Sequence, residues 1–185
     1  LELFLHSPDP WRVVLSTDHP NGGSFQSYPK LIHLLMDREH RNDVIRRVNP
    51  RAIKKTTLLD DLDREYTLNE IAIITRAGPA RLLGLKNKGH LGVGADADVT
   101  IYEEDPKIEY MFSTPRYVIK SGHLMIEDHE FKYDMEGRVL HVAPDYDQGI
   151  EQVLKPWFED YYTIQFANYP VGDEYLHQHE IVPTT

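Results

Sequence analysis

The sequence predicts an α/β fold that continues into a β-rich module and a C-terminal helix. Residues 1–85 alternate strand-like and helix-like apolar patterns. Residues 86–143 contain short β-branched runs between glycine-rich turns, and residues 144–185 begin with an amphipathic helical pattern. These observations divide the 185-residue chain into three sections, with boundaries near 85 and 143.

The first section opens with a strand signal and two helix signals. The run Trp11–Thr17 is apolar and β-branched at its centre, and it predicts a buried strand that stops at Asp18. Residues 28–36 predict a helix with a proline in its first turn. A second helix is predicted over about 40–48, ending before an Asn-Pro pair.

A later helix carries both a start signal and a break. Thr67-Leu-Asn-Glu70 is a capping-box pattern, in which the Thr67 hydroxyl and the Glu70 carboxylate each satisfy a free backbone amide. It predicts a helix after Thr67. Gly78-Pro79 is expected to interrupt that helix, with a further short helical turn over 79–83.

The middle section predicts a small β module. Asp96 and Asp98 are assigned to a turn and a strand start rather than to a metal pair, because aspartate readily satisfies turn amides. Residues 99–102 predict a strand, and Ser121-Gly122 predicts a two-residue hairpin turn between two more. Another strand is expected over 138–142. The glycines that space the first turn are Gly89, Gly92 and Gly94.

The last section predicts one broad apolar stripe on a helix bent by Pro156. Such a stripe is more typical of a core or an intersubunit contact than of a cofactor site. The polar residues after Gly172 are expected to be disordered or to dock elsewhere. The stripe consists of Ile150, Val153, Leu154, Trp157, Phe158, Tyr161 and Tyr162.

Composition excludes several classes of function. The chain carries a formal charge of −10, which argues against nucleic-acid binding because such proteins neutralise phosphates with cations. It has no cysteine, which excludes disulfides, thiolate nucleophiles and cysteine-held metal centres. No apolar run approaches the roughly 20 residues that span a bilayer. We therefore expect a cytoplasmic protein without a membrane partner.

Asp18 is the candidate functional residue that the sequence singles out. It follows an apolar strand and precedes a loop that contains one proline and two glycines. In barrels of alternating strands and helices, catalytic groups lie where a strand ends and its loop begins. A carboxylate there can bind a metal or move a proton. The alternative is that Asp18 only ends the strand and caps a turn.

Two features occur in the order expected of one family. The segment Gly89-His-Leu-Gly-Val-Gly-Ala-Asp-Ala-Asp-Val-Thr-Ile-Tyr102 resembles the return of metal-dependent amidohydrolases from their barrel to a β-sandwich. Asp18 resembles the last-strand aspartate of that superfamily. The resemblance implies that residues 1–85 are the C-terminal end of a TIM-like (β/α)8 barrel. Residues 86–143 would be part of the composite β-sandwich domain, and residues 144–185 a C-terminal helical extension.

Two longer motifs narrow the resemblance within the superfamily. Ser16-Thr-Asp-His-Pro-Asn-Gly-Gly, with Tyr28-Pro29, resembles the hydrolase-type subunit of formylmethanofuran dehydrogenase and of the related formyltransferase/hydrolase complex. Phe158-Glu-Asp-Tyr-Tyr-Thr-Ile-Gln-Phe-Ala-Asn-Tyr-Pro-Val171 resembles the C-terminal signature of that subunit. The resemblance covers the C-terminal third of such a protein. It implies hydrolysis or formation of an N-formyl C–N bond in C1 metabolism, with a formylated C1 carrier as substrate and other subunits of such a complex as partners.

The resemblance also implies a centre of one or two zinc ions that Asp18 completes. The family's His-x-His pair, carboxylated lysine and further histidines would lie before Leu1. The chain opens at Leu1 within an apolar stretch, which indicates a cut through a longer protein, with a processed or trimmed chain as the alternative. His177-Gln-His179 is not assigned to the metal, because it lies in a polar tail and two histidines fall short of a closed zinc site. We expect the isolated chain to show neither stoichiometric zinc nor turnover.

The loop after Asp18 supplies candidate substrate-binding residues. His19 is a candidate hydrogen-bonding partner of the substrate, although strand alternation turns it away from its neighbour and makes a structural role the alternative. Asn21, Gly22 and Gly23 are candidates because glycine permits close approach of the backbone to a ligand. A plain turn is the alternative for these three.

Three interpretations of function remain open from the sequence. The first is a catalytic amidohydrolase subunit, represented by its C-terminal part. The second is a non-catalytic structural or assembly subunit of the same ancestry, which uses the β module and the aromatic helix to hold partners. The third is a standalone β-rich ligand-binding module. The metal content of the full-length protein separates the first two.

Overall fold

The helices and strands fall into two units of the chain. The computed structural model describes residues 1–56, 62–176 and 178–183. The units are Leu1–Asp134 and Met135–Thr185. The boundary predicted near 85 lies inside the first unit, so the three-section division stays a prediction. Every helix in the described ranges is too short or too polar to cross a bilayer.

The first unit joins a helical part to an antiparallel sheet. Short 3-10 turns lie at Pro10–Arg12 and Phe25–Ser27. The helices are α1 (Glu2–His6), α2 (Tyr28–Met36), α3 (Arg38–Arg47), α4 (Pro50–Thr56), α5 (Leu68–Ala72), α6 (Gly78–Leu82) and α7 (Ile108–Ser113). The strands are β1 (Val99–Ile101), β2 (Tyr117–Lys120), β3 (His123–Glu127) and β4 (Glu130–Phe131).

The helices predicted from local signals are present. Helix α2 covers the predicted 28–36. Helix α3 begins two residues before the predicted 40, because the Asp37 carboxylate accepts a hydrogen bond from the His40 N–H at 2.8 Å and caps the new helix. The capping box before α5 is confirmed, with hydrogen bonds in both directions between Thr67 and Glu70. The hydrogen bond from the Thr67 N–H and the contact with Arg64 hold the pKa of Glu70 below its usual value.

The predicted break at Gly78-Pro79 is wrong. The helix runs from Leu68 through a π-helical turn, Ile73–Ala77, directly into α6. The Gly78 N–H donates to the Ile73 carbonyl, so one residue is inserted into the helical repeat. A Cβ on Gly78 would lie 2.8 Å from that carbonyl oxygen, so glycine permits the wide turn. Pro79 lacks an N–H but follows the turn without ending the helix.

The predicted strand over 11–17 is also wrong. Trp11 and Arg12 belong to a 3-10 turn, and residues 13–18 pair with no other strand among the described residues. Their central hydrogen bond instead joins the Leu15 N–H to the Ile74 carbonyl oxygen of the π-helical turn, at 3.0 Å. An extended segment becomes a strand only where a second extended backbone forms hydrogen bonds along it. Here the backbone that bonds to Leu15 belongs to a helix.

The core lies among the helices of the first unit. Tyr66 connects its parts, because its N–H donates to the Leu35 carbonyl and its hydroxyl donates to the Phe4 carbonyl at 2.7 Å. Burial raises the pKa of Tyr66. The buried residues of this cluster are Leu5, Leu15, Ile32, Leu35, Ile45, Tyr66, Ile71 and Ile74.

The sheet has the order β1-β2-β3-β4, with each neighbouring pair antiparallel. The predicted hairpin is confirmed, and Ser121 and Gly122 adopt φ values of 49° and 81°. Positive φ at both central residues is typical of the turn that matches the twist of paired strands. The strand predicted over 99–102 is confirmed as β1.

The second unit pairs two distant segments. Strand β5 (Val139–His141) is the strand predicted over 138–142, and it pairs in parallel with β6 (His179–Ile181). Helix α8 (Ile150–Tyr161) includes Pro156 and buries none of its residues. Val153, Trp157 and Tyr161 are 67%, 50% and 73% exposed. The predicted helix is therefore confirmed, whereas a core role within the described residues is not.

Candidate functional site

The segment that leads to Asp18 is fixed at Leu15. This side chain is 8% exposed and belongs to the core cluster. Its N–H donates to the Ile74 carbonyl oxygen, and its own carbonyl oxygen accepts a hydrogen bond from the Tyr28 hydroxyl at 3.3 Å. Asp18 and the loop that follows are solvent-exposed. A buried anchor thus precedes an accessible carboxylate by three residues.

Asp18 lies at the start of the loop, where the backbone turns. Its φ is +52°, in the left-handed region that aspartate tolerates better than most residues. Its N–H donates to the Ser16 hydroxyl at 3.3 Å, and its carbonyl oxygen accepts from the Gly22 N–H at 2.7 Å. The intervening His19–Pro20 peptide bond is cis. The loop therefore folds back on Asp18.

Position 22 requires glycine, because the loop brings its backbone close to Thr17 and Asp18. A Cβ at Gly22 would lie 2.9 Å from the Asp18 Cβ and 2.9 Å from the Thr17 carbonyl oxygen, and 3.3 Å from Asp18 Oδ2. Gly23 has more room, because its Cβ would lie 3.7 Å from the nearest atom, the Thr17 carbonyl oxygen. The two adjacent glycines therefore have different structural roles.

Replacing Gly22 with alanine is expected to destabilise the protein by about 1–3 kcal/mol, because the methyl group meets backbone that cannot move freely. Gly23→Ala is the matched control and is expected to be neutral or to stabilise slightly, since alanine restricts the unfolded chain. Urea unfolding of the wild-type and both variant proteins measures the difference. Equal free energies of unfolding for the two variants would contradict the close approach at Gly22.

The remaining predicted site residues lie in different surroundings within the loop. The His19 ring lies edge-on against the Phe25 ring, with centroids 5.0 Å apart and planes at 71°. This contact fits the structural alternative for His19. Asn21 is exposed at the turn, and Gly23 is half-buried. The roles of His19, Asn21, Gly22 and Gly23 in substrate binding stay predictions.

Two histidines outside the loop, His33 and His40, contact each other. The His33 and His40 rings stack with centroids 3.6 Å apart, and His33 Nε2 lies 3.3 Å from Asp37 Oδ2. Burial raises the pKa of Asp37, but hydrogen bonds from the His40 N–H and His33 outweigh it and hold that pKa low. His179 lies in β6, and its neighbour His177 lies outside the described residues.

Asp96 and Asp98 both pair with one lysine. Lys88 Nζ lies 2.8 Å from Asp96 Oδ2 and 2.6 Å from Asp98 Oδ2. Asp98 also accepts the Ser121 N–H at 2.8 Å, which ties this turn to the hairpin. Burial lowers the pKa of Lys88, but the two carboxylates outweigh it and raise that pKa overall. The assignment of both aspartates to structural positions fits this ion-pair network.

The residues around Asp18 do not form a complete metal centre. Among the described residues, no group of three or more histidine, aspartate or glutamate side chains is placed to hold a metal ion. A zinc site uses at least three protein ligands, and Asp18 supplies one carboxylate. The described residues therefore do not fit a zinc ion by themselves.

Sequence reasoning missed two residues that hold the Asp18 segment. The Tyr28 hydroxyl donates to the Leu15 carbonyl oxygen, a contact that the motif containing Tyr28-Pro29 does not indicate. The Ile74 carbonyl oxygen accepts a hydrogen bond from the Leu15 N–H. The available signal was the glycine-proline pair within a strong helical pattern. In the structure this pair follows a π-helical turn, and such turns occur frequently at functional sites.

Comparison with known proteins identifies the wider group. The model of the amidohydrolase family matches residues 5–125. The chain is 42% identical over 173 residues to FhcA, a subunit of the formyltransferase/hydrolase complex Fhc of Methylorubrum extorquens, which covers 94% of this chain and 31% of that protein. It is 38% identical over 193 residues to protein FwdA of Methanocaldococcus jannaschii, covering 98% of this chain and 34% of that protein.

A solved structure agrees with this relationship. It is the crystal structure of the formyltransferase/hydrolase complex FhcABCD from Methylorubrum extorquens with methylofuran. One of its chains matches with a TM-score of 0.80 and 37% identity, covering 99% of this chain and 34% of that one. The chain thus spans about a third of the length of these relatives. Because the family model matches more than half of its residues, the chain belongs to the amidohydrolase family.

Proposed function

We propose that this chain is the C-terminal part of an amidohydrolase of C1 metabolism that breaks or forms an N-formyl C–N bond. Residues 1–85 would form the end of a (β/α)8 barrel, residues 86–143 part of a β-sandwich, and residues 144–185 a helical extension. One observation carries the proposal. Asp18 is exposed three residues after the buried anchor Leu15, in a chain 42% identical to FhcA of a formyltransferase/hydrolase complex.

The Asp18 carboxylate would move the proton of the reaction. In hydrolysis, a water oxygen attacks the formyl carbon and Asp18 accepts the proton that the water loses. The C–N bond then breaks, and Asp18 delivers this proton to the leaving nitrogen, because an amine leaves poorly as an anion. The products are formate and the free amine. Formylation of the amine is the reverse sequence.

A zinc centre of one or two ions remains part of the proposal for the whole protein. Bound zinc would lower the pKa of water toward about 7 and supply hydroxide at neutral pH. Asp18 would be one ligand, and at least two others would have to come from outside the described residues. The steps assigned to Asp18 require only its carboxylate.

The proposed substrate is a formylated C1 carrier of the methanofuran type, and the proposed partners are the other subunits of such a complex. The solved relative is a complex that contains methylofuran. Helix α8 supports a partner contact, because its apolar side chains are exposed in the described chain. A cytoplasmic location also stays a prediction.

The exposed α8 also favours a second candidate, a non-catalytic assembly subunit of the same ancestry. The two candidates differ in chemistry. We expect the full-length protein, in its complex, to bind zinc and to release formate from N-formylmethanofuran. Metal analysis and a formate assay measure both. A complex that contains no metal and neither releases formate nor formylates the amine would support the assembly role.

A further inference from the structure

The position of Asp18 depends on a hydrogen bond that crosses from a helix to an extended segment. Leu15 precedes Asp18 by three residues, and its N–H donates to the Ile74 carbonyl oxygen at 3.0 Å. Ile74 is fully buried, and Leu15 packs in the same core cluster. A shift of Leu15 relative to this helix would therefore move the loop that carries Asp18.

The Ile74 carbonyl is available because of the residues that follow it. In a regular α-helix, this oxygen would accept the N–H four residues later, which belongs to Gly78. Here the Gly78 N–H donates to the Ile73 carbonyl. Continuing the π pattern would require the N–H five residues after Ile74, but that residue is Pro79, which has none. The carbonyl of Ile74 is thus free to bind Leu15.

Tyr28 holds Leu15 through its other backbone group. The Tyr28 hydroxyl donates to the Leu15 carbonyl oxygen at 3.3 Å, from the first residue of α2. The loop that contains Asp18 leads through the 3-10 turn Phe25–Ser27 into α2, so α2 anchors the chain beyond the loop. Both polar backbone groups of one residue are therefore bound, one by each flanking helix.

We propose that Tyr28 and Pro79 are positioning residues for Asp18. Pro79 leaves the Ile74 carbonyl free to hold the Leu15 N–H, and the Tyr28 hydroxyl holds the Leu15 carbonyl. Together they fix the backbone from which the Asp18 carboxylate reaches the reacting atoms. The expected effect on catalysis rests on the proposed proton transfer by Asp18. The expected effect on the position of Leu15 is independent of that proposal.

The test uses Tyr28→Phe and Pro79→Ala in the full-length protein within its complex. Tyr28→Phe deletes one hydroxyl. Pro79→Ala introduces an N–H that suits a helix and that, by continuing the π pattern, competes with Leu15 for the Ile74 carbonyl. With N-formylmethanofuran as the probe, we expect each variant to lower kcat by about 3- to 30-fold, with KM changed less than about twofold. Tyr110→Phe, an exposed tyrosine on α7, is the matched control and should leave kcat unchanged.

Two further measurements separate positioning from a general structural effect. Hydrogen exchange of the Leu15 amide should become about 3- to 10-fold faster in both variants. In an Asp18→Asn background, neither variant should lower the residual kcat further, because both act through Asp18. The positioning role would be overturned if either variant lowered kcat by the same factor in the Asp18→Asn background as it does alone. It would also be overturned if Tyr28→Phe and Pro79→Ala left kcat unchanged in the otherwise wild-type protein.

The proposed function can fail separately. If Asp18→Asn alone keeps full activity, the proton-transfer role of Asp18 is wrong. The claim that Tyr28 and Pro79 position a catalytic carboxylate is then wrong as well. The exchange rate of the Leu15 amide still decides whether Tyr28 and Pro79 fix this segment. Unchanged exchange in both variants would overturn the structural part of the inference as well.

Discussion

Asp18→Asn in the full-length protein is expected to lower kcat for formate release from N-formylmethanofuran by about 100- to 10,000-fold. This is the usual contribution of a positioned general acid–base group. Asparagine keeps the size and the left-handed backbone of Asp18, but its amide cannot accept the proton from water and return it to the leaving nitrogen. Steady-state formate release at saturating substrate measures the effect, and circular dichroism checks the fold.

Asp43→Asn is the matched control for this substitution. Asp43 is an exposed aspartate on α3 that pairs with Arg46, and exposed pairs contribute little to stability. Its substitution removes the same charge and should leave kcat within about twofold of wild type. Near wild-type turnover by Asp18→Asn, with the metal content unchanged, would remove Asp18 from the proposed proton transfer.

Arg41→Ala is expected to destabilise the first unit by about 3 kcal/mol or more. Arg41 is 0% exposed, and its guanidinium donates to the carbonyl oxygens of Leu34, Leu62 and Arg64, each at 3.0 Å. Alanine leaves a cavity and three partly buried acceptors without these donors, and an unsatisfied group costs up to about 1–3 kcal/mol when it is buried. Part of this loss is offset because a buried charge is also removed, as shown by the burial that lowers the pKa of Arg41.

Arg46→Ala provides the control on the same helix. Arg46 is exposed and pairs with Asp43 three residues earlier, so its loss should change the free energy of unfolding by no more than about 0.5 kcal/mol. Urea unfolding at neutral pH compares the wild-type and both variant proteins. Equal stability of Arg41→Ala and Arg46→Ala would show that the three carbonyls find other partners.

Local signals in the sequence predicted the elements that local interactions form. The apolar spacing of residues 28–36 predicted α2, and the Thr67–Glu70 pair predicted the start of α5, because a capping box needs only neighbours in the chain. The Ser121–Gly122 hairpin was predictable for the same reason. The family motif of residues 89–102 indicated the amidohydrolase relationship, which the family match over residues 5–125 confirms.

Elements that depend on distant partners were not predictable in this way. An apolar β-branched run was assigned to a strand, but the backbone facing Leu15 belongs to a helix. The glycine-proline pair was assigned to a break, but Gly78 allows a wide turn and the helix continues. Arg41 carried no sign of burial in the sequence, because its acceptors are carbonyl groups that any residue could supply.

By itself, the sequence determined the starts of α2 and α5, the hairpin, the absence of cysteine chemistry and the amidohydrolase relationship. These follow from residue type and short spacing, which act over a few residues at most. Only the tertiary structure decided that Leu15 binds a helix, that Gly22 must lack a side chain beside Asp18, and that Lys88 occupies the space between Asp96 and Asp98. Such contacts depend on which backbone groups and charges the fold brings together, and a pattern of neighbouring residues does not specify them.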